Sequence, residues 1–250
     1  MGDDRREWEN PHESPNIQKM NLVRYAKYRG KHPREVLLLR GLPCVWSRCA
    51  FCDYIDDNTE DHDLIEQTAK ENLDKVTGEF GRLMVINSGS IQELPPTVRE
   101  RIRDVIRDKG IREFWTESYW AYRKEYEATR RFFEVPTHLF LGVETFDDAL
   151  RNGVLNKSMH WSSPDEVAAA TDSICLMIGF RGQTPEIIRR DIDLMRSRFK
   201  YGIVNLFTEN RLSDGLMDAE ILAWFKEEYA WLDREPNINV LWTNTDFGIG

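Results

Sequence analysis

Cysteine is scarce in this chain, four in 250 residues, and long apolar runs and low-complexity tracts are missing. No apolar stretch approaches the roughly 20 residues that cross a bilayer, so no membrane span is expected. Cysteines this sparse do not make a disulfide framework. The start, Met1-Gly-Asp-Asp-Arg-Arg6, is polar and reads neither as a signal peptide nor as a myristoylation site, since Arg6 stands where Ser or Thr is wanted. A cytoplasmic protein is expected. A basic surplus is also lacking. Lys and Arg number 34 against 43 Asp and Glu, a net charge of −9. Proteins that grip tRNA or DNA set Lys and Arg against a run of phosphates. Here the bases alternate with acids, as in Arg99-Glu-Arg-Ile-Arg-Asp-Val-Ile-Arg-Asp-Lys109, the pattern of a solvated helix face. Intact nucleic acid is therefore disfavoured as a partner, and a small molecule is favoured.

What is present alternates regularly. Short apolar runs at 35–39, 83–87, 113–116, 138–142, 173–178, 202–207 and 239–242 read as strands. Amphipathic patterns at 63–80, 96–109, 122–133, 146–152, 163–170, 185–199 and 218–232 read as helices. Strand and helix in strict alternation imply βα units and a parallel sheet. Six or seven such units suit an α/β fold of the partial (β/α)₆ TIM-type barrel kind, with an extra C-terminal strand. Residues 1–30 form an N-terminal arm with a short helix at 22–28, and 31–250 a single domain. In such a barrel, function sits at the C-terminal ends of the strands.

After the first strand, Cys44, Cys49 and Cys52 fall within nine residues. Three thiolates on one loop can hold three irons of a [4Fe–4S] cluster, which ordinarily takes four cysteines. Structural zinc needs four closed ligands, and only Cys49 and Cys52 have the Cys-x-x-Cys spacing. Cys175 lies in an apolar strand and reads as core.

The other strand ends carry further polar groups. Asn87-Ser-Gly-Ser90 follows the second strand, a small-residue turn that lets backbone approach a ligand and is also an ordinary turn. Glu117, after the third, can bond a ribose, fix a cation, or serve as a carboxylate at a helix N-terminus. The fourth leads into Leu141-Gly-Val-Glu-Thr145 and, about one helix later, Asn156-Lys157. Arg181, after the fifth, can clamp a phosphate or carboxylate. Asn205 and Asn210, around the end of the sixth, can read a polar heterocycle or sugar, or merely supply loop polarity.

The cysteine loop resembles that of the radical S-adenosylmethionine (SAM) superfamily, with four residues between its first two cysteines where three are usual. The resemblance extends over roughly residues 35–210. It implies a [4Fe–4S] cluster on Cys44, Cys49 and Cys52, whose open iron chelates SAM. It implies SAM contacts from Phe51, from the turn Ser88, Gly89 and Ser90, and from Glu117, Glu144 and Lys157. The stretch Gly142-Val-Glu-Thr145 through Lys157 is similar to the elongator and coproporphyrinogen-oxidase-like branches. Leu39-Arg-Gly-Leu-Pro-Cys44 through Asp53-Tyr54 resembles a small bacterial group acting in queuine salvage. Membership there implies an external one-electron reductant, cleavage of SAM to a 5′-deoxyadenosyl radical, and release of queuine from queuosine 5′-phosphate. Arg181, Asn205 and Asn210 are then the candidate substrate contacts. A tRNA-modifying radical SAM enzyme and a cluster- or zinc-bearing binding protein are the alternative readings.

Overall fold

A computed structural model describes residues 22–250. Eight strands follow one another in a single sheet in chain order. They are β1 (Tyr25–Tyr28), β2 (Arg34–Leu39), β3 (Arg82–Asn87), β4 (Glu113–Ser118), β5 (Thr137–Glu144), β6 (Ser173–Ile178), β7 (Tyr201–Leu206) and β8 (Ile238–Leu241). The ladders from β2 to β8 are parallel, while β1 runs antiparallel to β2. One cluster joins inward-facing side chains of all seven parallel strands, among them Val36, Met84, Trp115, Phe140, Cys175, Ile203 and Leu241. Only a sheet curled into a partial barrel brings these together, the fold that six or seven βα units suit.

Helices α1 (His62–Leu73), α2 (Pro96–Asp108), α3 (Tyr126–Phe132), α4 (Pro164–Ala170), α5 (Pro185–Arg198) and α6 (Ala219–Glu228) connect the strands. Their starts are written locally. Asp61, Thr184 and Asp218 accept from the backbone amides of Leu64, Ile187 and Ile221, and proline opens α2, α4 and α5. Their buried faces pack on the outer side of the sheet in two further apolar clusters.

The structure corrects three expectations. The helix expected at 22–28 is instead strand β1, whose Tyr25 to Tyr28 pair with Leu37 to Arg34. Four residues gain more by covering the exposed edge of β2 than by forming a lone helical turn, which is costly to nucleate. The sheet therefore begins inside the proposed arm; residues 1–21 lie outside the described residues. The pattern at 63–80 stops being helical at Leu73, because the buried Glu35 carboxylate takes the Thr77 and Gly78 amides, both at 2.8 Å. The pattern at 146–152 becomes a π-helical turn, Ala149–Val154.

The bottom of the barrel is plugged. The Arg34 guanidinium, fully buried, lies 4.6 Å from the ring centres of Tyr28 and Trp115 and 4.5 Å from that of Phe247. Beneath Trp115, His138 bridges Asp172 at 2.8 Å and Glu113 at 3.3 Å. Strand C-terminal ends at the other mouth are left to form a site.

Candidate active site

A cavity of about 320 Å³ opens at those strand ends. Cys44, Cys49 and Cys52 line it, all half-buried and with free thiols. Their loop is held from three sides. Val45 N donates to the Glu93 carboxylate at 2.6 Å, beside the end of β3. Trp46 Nε1 donates to Asn156 O at 2.6 Å, Asn156 Nδ2 to Arg48 O at 2.8 Å, and Ala50 N to Leu155 O at 3.0 Å, after the π-helical turn. Asn210 Nδ2 donates to Phe51 O at 2.7 Å, beyond β7. The long Cys44–Cys49 spacing contains a left-handed residue, Ser47 at φ 49°, whose hydroxyl donates to Cys44 O at 2.5 Å.

Among the described residues no three His, Cys, Asp or Glu side chains close on a single-ion site. The loop offers three separate thiols and no tetrahedral cage. Burial pushes the Cys52 thiol up to about 12, Cys49 adding to it, and burial likewise raises Cys44 and Cys49. Thiolates here need added positive charge, which iron supplies on ligation. The donor set fits a [4Fe–4S] cluster held by three cysteines with one iron open. Cys175 stands apart from this loop on β6; it is buried, as expected of core, and also forms part of the cavity wall.

Glu144 and Lys157 meet under the loop. Lys157 Nζ is 2.7 Å from Glu144 Oε1, with side-chain exposures of 7% and 9%. The ammonium also lies 5.3 Å from the centre of the Phe51 ring, within cation–π range. Burial alone would lower the lysine's pKa, but the Glu144 carboxylate and the nearby Cys49 hold it above its ordinary value. The approach needs an unusual backbone. Glu144 ends β5 at φ 61°, beside a register shift between Gly142 and Glu144. Asp191 of α5 fastens the turn, accepting from Thr145 Oγ1 at 2.5 Å and from Phe146 N at 3.2 Å. Arg151, buried, donates to the carbonyls of Thr145 and Met159 at 3.1 and 3.0 Å and stacks 3.7 Å over Trp161. Tyr119 donates to the Lys157 carbonyl.

Ser88, Gly89 and Ser90 line the cavity next to the loop. Ser88 Oγ accepts from Gly41 N at 3.0 Å, and Ser90 N donates to Glu93 Oε2 at 2.5 Å. Glu93 thus ties this turn to the cysteine loop. A side chain at Gly89 would press on the Glu93 carboxylate and shift it, so the glycine lets Glu93 keep its bonds to Ser90 N and Val45 N. Glu117 also faces the cavity. Burial, then the Glu144 charge, pushes its carboxyl up to about 7, with Lys157 opposing.

The three candidate substrate contacts fare differently. Asn205 lines the cavity from β7. Asn210 lines it too, but its amide is engaged by Phe51 and by Leu212 N at 2.9 Å, so it serves as a clamp on the cysteine loop. Arg181 is not brought to the cavity. It stands exposed beyond β6, where Gly179 and Gly182 at φ 100° and 93° turn the chain and Arg181 N donates to Leu216 O at 2.7 Å. Sequence reading assigned no role to Glu93 or Asn156. The first was legible as the fourth residue of a Ser-x-x-Glu capping box, and the second stands directly before Lys157.

No family model and no curated protein matches the sequence. Among solved structures, the queuine lyase of Clostridium spiroforme, bound to SAM and queuine, is similar at 40% identity and a TM-score of 0.89. The match covers 92% of this chain and 99% of that one. This chain belongs to the queuine lyase group of the radical SAM superfamily. Coproporphyrinogen III oxidase of Escherichia coli, a radical SAM enzyme, is 16% identical with a TM-score of 0.55, over 84% of this chain and 54% of that one. SuiB of Streptococcus suis is 12% identical with a TM-score of 0.54, over 82% and 48%. These two share the fold. The cysteine loop, the Glu144–Lys157 pair and the Ser88–Ser90 turn lie at the strand C-terminal ends, the end at which barrels of this architecture carry function.

Proposed function

We propose that this protein is a radical SAM lyase that releases queuine from queuosine 5′-phosphate. The observation that carries the reading is the 40% identity to a queuine lyase over nearly the whole of both chains. It is supported by the convergence of the three cysteines, the serine turn and the Glu144–Lys157 pair on one cavity. Cys44, Cys49 and Cys52 would hold a [4Fe–4S] cluster, and Ser88, Gly89, Ser90, Phe51, Glu117, Glu144 and Lys157 would surround SAM. With a one-electron reductant, cluster and SAM when bound would supply radical chemistry able to take a hydrogen atom from the substrate.

The chain's own residues bind and orient. Glu144 spends one carboxylate oxygen on Lys157, leaving the other to accept from ribose hydroxyls. Lys157 spends one of three ammonium donors there and can turn the others to a carboxylate. The Ser88–Ser90 turn offers backbone groups at close range, and the Phe51 ring covers the ammonium. Apolar lining residues including Ile203 and Leu241 would limit water around the reacting atoms. With a net charge of −9, the substrate is the small nucleotide rather than intact tRNA. An external one-electron donor and a cytoplasmic setting complete the reading; among the described residues no helix is long and apolar enough to cross a membrane.

Anaerobic incubation of iron-loaded protein with queuosine 5′-phosphate tests the proposal. Free queuine and 5′-deoxyadenosine should form only when SAM and dithionite are both present. Queuine released without SAM would mean ordinary hydrolysis and refute it.

A further inference from the structure

The cavity has two chemically different ends. At one, the cysteine loop meets Glu117, Glu144 and Lys157. At the other, the lining contributed by β7, β8 and the segments that follow them carries no charged side chain; it includes Ile203, Leu241, Phe247 and Ile249. The polar side chains in this part of the lining are Asn205, Thr208, Asn210 and Asn244. Asn205 and Leu241 are neighbours in the ladder between β7 and β8. Asn210 spends its amide on Phe51, whereas the Asn205 side chain makes no hydrogen bond among the described residues.

The wall is firmly placed. Phe247 is backed by Arg34 at 4.5 Å and by the edge of Tyr28 at 5.1 Å. Its segment returns from β8 across the open side of the barrel to the start of β1. There Val23 and Gly250 exchange backbone hydrogen bonds of 3.2 and 3.0 Å. Asp246 N donates to Thr243 O at 3.2 Å, making the turn that brings Phe247 inward.

We propose that this uncharged end, read by Asn205 and walled by Phe247, seats the heterocyclic base of the substrate, which makes the segment 244–249 part of the substrate site. The inference rests on the queuine-release reading. A flat deazapurine gains from apolar surfaces on both sides. A free asparagine amide offers a donor and an acceptor together, the complement of a lactam edge with its carbonyl and N–H. Phosphate or the charges of SAM would be desolvated at this end without a partner. They belong at the mouth and at the Glu144 end, which directs the sugar between the two.

Queuine binding to iron-loaded protein, measured anaerobically with SAM present, tests this. Asn205→Leu and Phe247→Ala should each bind queuine at least tenfold more weakly, with SAM affinity and iron content within twofold of the parent. Asn205→Leu keeps the Arg34–Phe247 packing, so it decides the matter should Phe247→Ala fail to fold. Unaltered queuine affinity in Asn205→Leu overturns the placement of the base and leaves the lyase reading standing. An equal loss of SAM affinity in that variant also overturns it, because Asn205 would then belong to the cofactor. Failure of the parent protein to bind queuine at all would bring down the lyase reading and this inference together.

Discussion

Gly142 and Glu144 share a bulge at the end of β5, and the first makes the space the second occupies. A Cβ on Gly142 would stand 2.7 Å from Glu144 Oε1 and 3.1 Å from Lys157 Nζ. Gly142 lies in a strand and not in the left-handed region, so alanine is acceptable to the backbone there. Gly142→Ala should fold and load iron, yet displace the Glu144–Lys157 pair and weaken SAM binding at least tenfold, about 1.4 kcal/mol. Titration of SAM into the iron-loaded variant measures this. Parent-like affinity would show that the pair's position does not matter to SAM.

The cysteines divide three to one. Cys44→Ala, Cys49→Ala and Cys52→Ala should each abolish a load of about four irons per chain, whereas Cys175→Ala, altering only the cavity wall, should keep it. Iron analysis and visible absorbance after anaerobic reconstitution distinguish the two outcomes. Stoichiometric zinc without iron uptake would sink the cluster assignment.

Glu117 gives the iron-free protein a pH signature. Its carboxyl is raised in the folded chain from 4.5 to about 7, chiefly by burial and then by the Glu144 charge. The folded state therefore keeps a proton that the unfolded chain has released, and stability linked to this group is present below about pH 4.5 and lost as pH rises through 7. The loss is at most about 3.5 kcal/mol, since each tenfold change in proton affinity is worth roughly 1.4 kcal/mol. Urea midpoints between pH 5 and 8 should fall in the parent and fall less in Glu117→Gln. Parallel pH profiles would show that the Glu117 carboxyl is not raised in the folded chain.

Arg181 is exposed outside the cavity, so Arg181→Ala should alter KM for queuosine 5′-phosphate by less than about twofold, some 0.4 kcal/mol. A tenfold rise with the phosphorylated substrate, absent with its dephosphorylated form, would mean that the guanidinium reaches the mouth when substrate binds.

Much of this protein was legible along the chain. The cysteine spacing and the alternation of strand and helix are local properties, decided by neighbours within one loop or one turn, and the parallel sheet with function at its strand ends followed from them. Glu144 and Lys157 could be named only through the resemblance of Gly142-Val-Glu-Thr145 through Lys157 to a radical SAM segment; their ion pair is a tertiary contact. Other features depended on contacts distant in sequence. Strand β1 exists because β2 has an edge to cover, and α1 stops early because Glu35, on another element, captures the Thr77 and Gly78 amides. Asn210 and Arg181 looked alike as polar residues beyond strands. The curl of the sheet brought one to Phe51 and left the other in solvent. Closure of the barrel's open side by Phe247, backed by Arg34 from β2, joins positions more than two hundred residues apart, a contact that no local pattern encodes because only packing in three dimensions rewards it.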